Sequence, residues 1–139
     1  MSYEEKGTWA YLVTSVAVWI GYVVVLLRRA DGGSPADVPY VAPLLWAVGI
    51  SVLANVLGRV AFEIVRPSES HRADVRDRDV ARYGDYVGGL VLSVLVAGVL
   101  ALALVEAPHF WIANAVYAAF VVQVVVSSVV RLVAYRRGL

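Results

Sequence analysis

The sequence contains no cysteine, which excludes disulfides, thiolate-bound metals and the thiol relays used by quinone-linked four-helix oxidoreductases. Lysine is almost absent, with Lys6 standing against eleven arginines, and there are only two histidines, His71 and His109. Charge as a whole is scarce, at 17% of the residues. The net charge of +1 gives no basis for a nucleic-acid partner. Nowhere do apolar and polar residues alternate over strand-length segments, as they would in a transmembrane β-barrel.

What the chain does have is long uncharged stretches. Of its 139 residues 60% are hydrophobic, and uncharged runs cover residues 8–27, 38–58, 86–105 and 110–130. Each holds about 20 residues, enough to cross ~30 Å of hydrocarbon at ~1.5 Å per residue. An unpaired backbone amide in lipid costs several kcal/mol, so segments of this length must be helical whatever the strand preference of their many valines. The sequence therefore predicts an all-α integral membrane four-helix bundle made of two transmembrane hairpins. It forms one domain, 1–139, with spans at about 8–27, 38–62, 86–105 and 110–130. Residues upstream of the first span are too acidic for a cleaved signal peptide, so that span is expected to remain.

Basic residues set the orientation. With four spans, Lys6, Arg66, Arg72, Arg76, Arg78, Arg82, Arg131, Arg136 and Arg137 share one side, whereas only Arg28 and Arg29 lie on the other. The positive-inside rule then places both termini and the 64–85 loop in the cytoplasm of a bacterial inner membrane. Asp31-Gly-Gly-Ser-Pro35 reads as a flexible external turn, and Glu106-Ala-Pro-His109 as a tight one. Trp9, Tyr11, Tyr40, Trp46, Tyr86, Phe110, Trp111 and Tyr135 lie near run ends, where aromatic rings sit at headgroup depth. The pairs Ala42-Pro43…Trp46 and Ala107-Pro108…Trp111 echo each other at two external helix starts.

Three features carry the candidate functional residues. The first is the 64–85 loop, helical from about Ala73, where Asp74, Arg76, Asp77, Arg78, Asp79, Arg82 and Asp85 form an interleaved acidic and basic surface. Asp74 with Arg78, Asp79 with Arg82 and Arg82 with Asp85 are helix neighbours, and the surface suits docking of a cytoplasmic protein partner. The second is a polar seam: Asn55, Arg59 and Glu63 recur every fourth residue in span two, as do Gln123, Ser127 and Arg131 in span four. If the two stripes face each other, Glu63 lies between Arg59 and Arg131. The third is a stripe of small residues in span three, Gly89, Ser93, Ala97 and Ala101, which would let another helix approach closely. The sequence leaves open whether that helix belongs to the same chain or to a homodimer partner.

Catalytic, cofactor and metal sites are not expected. His71 and His109 fall on opposite sides of the membrane, so they cannot share a haem or metal. Ser127 and Ser128 are likewise separated from Glu106 and His109, and no glycine loop for phosphate is present. Small multidrug exporters depend on a carboxylate in the first span, which residues 8–27 lack.

Asp74-Val-Arg-Asp-Arg-Asp79, Gly84-Asp-Tyr-Val-Gly88, His109-Phe-Trp-Ile-Ala-Asn-Ala-Val-Tyr117 and Ala134-Tyr-Arg-Arg-Gly138 together resemble the small four-span inner-membrane proteins common in actinobacteria and other bacteria. The similarity covers roughly residues 3–138, and the Asp/Arg loop is its most specific feature. It implies the same fold and no particular activity. Such proteins often occur beside a small helix-turn-helix regulator, which suggests sequestration of, or signalling to, a cytoplasmic factor. The expected role is thus a non-enzymatic membrane protein whose charged loop engages a partner, with lipid around its spans. The alternative is a small proton-coupled transporter or permeability element using the seam around Glu63.

Overall fold

The computed structural model describes residues 3–65 and 75–137, with side chains at 3–4, 59, 62–65 and 75–77 excepted. It is all-α in its long elements: α1 (Tyr3–Ala30), α2 (Val41–Val65), α3 (Val75–Leu104) and α4 (His109–Arg137), with a 3-10 turn at Pro35–Asp37 between α1 and α2. All four helices are long and apolar enough to span a membrane. No strand occurs among the described residues.

Lipid-compatible helices must satisfy polar side chains as well as backbone, and several do so locally. Asn55 Nδ2, Ser93 Oγ and Asn114 Nδ2 each donate to the carbonyl four residues back, on Ser51, Gly89 and Phe110, at 2.8–2.9 Å. The helix ends are equally explicit. At the end of α3, Ala107 N–H bonds Leu102 O and Glu106 N–H bonds Ala103 O. Glu106 itself adopts φ 55°, which completes a Schellman cap without glycine. Pro108 O then accepts from Trp111 N–H to open α4. These few residues reverse the chain, so α3 and α4 pack antiparallel as a hairpin.

The α1/α2 connection is more ordered than the flexible turn its glycines suggest. Asp31 (φ 44°) and Gly32 (φ 81°) are left-handed, Gly33 N–H bonds Ala30 O at 2.7 Å, and Ser34 Oγ caps the 3-10 turn by accepting from Ala36 N–H. Together these leave little freedom between Ala30 and Val38.

Helix order in space is α2–α1–α4–α3: α4 packs on α3 and on α1, and α1 packs on α2. Among the described residues no other pair packs along its length. The result is an open row of two hairpins joined through α1 and α4. Its core sits toward the loop end, where Tyr22 and Leu26 of α1, Ala47 of α2, and Phe110 and Tyr117 of α4 are buried together. Phe110, expected at headgroup depth, is therefore a core residue, its ring edge-on to Tyr40 at 5.0 Å. Trp46 and Tyr86, by contrast, are exposed, at 73% and 70%.

The small-residue stripe of α3 does not pack within the chain. Ser93, Ala97 and Ala101 are exposed, and α4 instead meets Gly84 and Gly88, both buried. The reason is geometric: at ~100° per residue, the Gly84–Gly88 side of α3 and the Ser93–Ala97 side lie roughly 180° apart. One helix face accepts one neighbour, and the barer pair of glycines receives α4.

Candidate functional site

At the end of the bundle that carries the chain termini, α3 and α4 meet through a notch cut by glycine. A Cβ built on Gly84 would lie 2.5 Å from Arg131 Cγ, 2.9 Å from Arg131 Nε and 3.1 Å from Ser127 O. One built on Gly88 would lie 2.9 Å from Ser127 Cβ and 3.2 Å from Gln123 Nε2. Neither glycine tolerates a side chain without displacement, and their absence of one seats the polar stripe of α4. Ser127 and Ser128 are buried, Gln123 and Arg131 half-buried. The Arg131 guanidinium reaches past Gly84 to pair with Asp85 Oδ1, while Arg131 Nε is buried without a partner among the described residues.

This arrangement redraws the seam expected from sequence. Gln123, Ser127 and Arg131 do line one face of α4, but that face looks onto α3 and not onto α2. Asn55 is turned back onto Ser51 of its own helix. Arg59 and Glu63 belong to α2, and their side chains lie outside the described residues. The physical cause is the glycine notch: backbone can approach backbone only where Cβ atoms are missing, and α3 offers that surface.

Of the expected docking residues, Asp74 lies outside the described residues, and Arg76 and Asp77 are placed only as backbone of α3. Arg78, Asp79, Arg82 and Asp85 are all exposed on the first turns of the same helix. With 30 residues α3 is about 45 Å long, some 15 Å more than the ~30 Å hydrocarbon core, so these charged turns stand outside it. Val80, buried at 5%, anchors them on the inner side, and the Asp85–Arg131 pair fixes them to α4. That pair is 65% and 28% exposed at its two side chains and contributes ~1 kcal/mol or less. Its effect is chiefly on register.

A second polar cluster went unread in the sequence. Tyr22 Oη donates to Asn114 Oδ1 at 2.7 Å across the α1/α4 seam, and Tyr22 and Tyr117 meet edge to face at 5.6 Å. Tyr117 Oη is buried without a partner among the described residues. The available signal was position: Tyr22, Asn114 and Tyr117 stand inside apolar runs, where a polar group needs a partner.

A groove of 250 Å³ between α3 and α4 is lined only by apolar residues, including Leu95, Leu102, Ala115 and Val122, so it offers lipid chains a fit and no polar ligand a contact. Among the described residues no three His, Asp or Glu side chains gather as a metal site. What the notch does chemically is hold charge in place. Compared with known proteins, the chain matches no family model, no curated protein and no solved structure.

Proposed function

We propose that this chain is a non-enzymatic, multi-pass protein of the bacterial cytoplasmic membrane whose charged 64–85 segment engages a cytoplasmic protein partner. The observation that carries the reading is the continuity of α3, which takes exposed Arg78, Asp79 and Arg82 out of the apolar zone on an unbroken helix braced against α4. A helix held in this way presents charges in fixed register, which gives specificity for a complementary surface more than raw affinity. The nine-to-two distribution of basic residues supports placing this end, and both termini, in the cytoplasm. The resemblance to small four-span inner-membrane proteins that occur beside a regulator agrees with a regulatory or scaffold role.

The transporter alternative rests on a polar path between α2 and α4 around Glu63. Those helices do not pack along each other, so that reading lacks a comparable observation. The test is co-purification after mild detergent extraction, comparing the native chain with Asp77→Ala/Arg78→Ala. A cytoplasmic protein retained by the former and lost by the latter supports the proposal. An unchanged set of co-purifying proteins, with substrate-driven proton flux in liposomes, would replace it with the transporter.

A further inference from the structure

The side of α3 that faces away from α4 is a continuous surface running the length of the helix. Arg82, Tyr86, Ser93, Leu100 and Leu104 all point within about 40° of one direction at ~100° per residue, and all are exposed. Asp79 and Ala97 flank it on one side, Gly89 on the other. Because α3 ends the row of helices, nothing among the described residues covers this surface. We infer that it is the docking face for a second copy of this chain, forming a parallel dimer about a two-fold axis along the membrane normal.

Charge is what, beyond exposure, points to a copy of this chain as the occupant. Asp79 and Arg82 lie on opposite flanks of the face's midline, and neither is drawn into an ion pair among the described residues. Copies inserted in the same direction and related by a two-fold axis bring the left flank of one against the right flank of the other. Asp79 of each chain then meets Arg82 of its partner, so the surface is complementary to itself.

Close approach in the middle of the interface is provided by Gly89 and Ser93, whose hydroxyl is already satisfied by Gly89 O and so meets the partner without an unpaired polar group. A small crossing angle, near +20°, keeps the helices together as far as the Asp79–Arg82 layer. The dimer requires only that both copies insert the same way. It does not depend on which side is cytoplasmic, and with Asp79 and Arg82 taken up between the copies it leaves exposed Arg78 of that segment for the proposed partner.

Absence of cysteine makes the test direct. Single substitutions Ser93→Cys on this face, Val91→Cys on the α4 side and Leu53→Cys on the outer side of α2 are oxidised in liposomes that hold the purified chain alone. Disulfide-linked dimers are expected with Ser93→Cys and not with the other two; equal cross-linking at Leu53→Cys, or none at Ser93→Cys, overturns the proposal. Fluorescence transfer between labelled chains then measures dissociation. Arg82→Asp sets acid against acid and should raise the dissociation constant roughly ten-fold, two symmetric contacts being lost. The swap Asp79→Arg/Arg82→Asp restores complementarity and should return the native value. If the single variant dissociates like the native chain, or the swap stays weak, the face is not the interface.

Discussion

Gly84→Ala tests the glycine notch, and its cost can be worked from the contacts. The new methyl would stand 2.5 Å from Arg131 Cγ, where carbon atoms rest at ~3.5–4.0 Å, so about 1 Å of movement is needed. Arg131 can supply some of it by swinging aside, which breaks its pair with Asp85. Ser127 O, at 3.1 Å, is backbone and moves only if α4 moves. Overpacking of this kind costs ~1–3 kcal/mol, offset by up to ~1 kcal/mol because alanine is the better helix former, so a net loss of about 1–2 kcal/mol is expected. Gly98→Ala in the same helix is the control, because a Cβ there meets nothing within 4 Å. It should be neutral or slightly stabilising. Reversible unfolding in mixed detergent micelles measures both. Arg131→Ala added to Gly84→Ala should recover part of the loss, since Cγ and Nε are two of the three atoms in the way. Equal stability of the two alanine variants, or strict additivity with Arg131→Ala, would refute the notch.

Tyr22→Phe leaves Asn114 Oδ1 without its donor across the α1/α4 seam and should destabilise by ~0.6–1.7 kcal/mol, whereas Tyr117→Phe removes a hydroxyl that bonds nothing described and should cost nothing; the same unfolding assay compares them. For topology, an impermeant maleimide should label Ser34→Cys and Ala107→Cys in intact cells, and Gly138→Cys only after lysis. Labelling of Gly138→Cys from outside would invert the orientation.

The helices were legible in the sequence because lipid permits no other backbone solution for 20 uncharged residues. Their neighbours were not. In water an apolar stripe names the buried face, but here Val13, Leu53 and Val94 are exposed at 59%, 61% and 67%, as apolar as the residues that pack. Hydropathy therefore cannot separate a lipid-facing side from a helix-facing one. Small residues can, yet α3 carries them on two sides, a longer stripe through Ala97 and the shorter Gly84-x-x-x-Gly88, and only the shorter one meets α4. Ala97→Leu, on the exposed stripe, should leave the single chain folded. In the seam, Gln123, Ser127 and Arg131 of α4 lie against Gly84 and Gly88 of α3, whereas the sequence pattern alone sets α2 opposite them. A pattern on one helix does not say which other helix it meets; the glycines opposite it do.

The open row has a consequence for how the chain comes together. The 66–74 connection joins α2 to α3, the two helices at opposite ends of the row, so it links elements that do not pack on each other. Among the described residues the two halves are joined at the α1/α4 seam, where Tyr22 meets Asn114 and Tyr117, and at the loop end, where Phe110 packs on Tyr40. Each hairpin has its own capped turn and can enter the bilayer as a unit, with lateral diffusion in the membrane plane bringing α1 to α4 afterwards. The covalent link then acts as a tether that raises local concentration, and two separately translated halves, residues 1–69 and 70–139, should find each other and reconstitute the same four-helix unit without it.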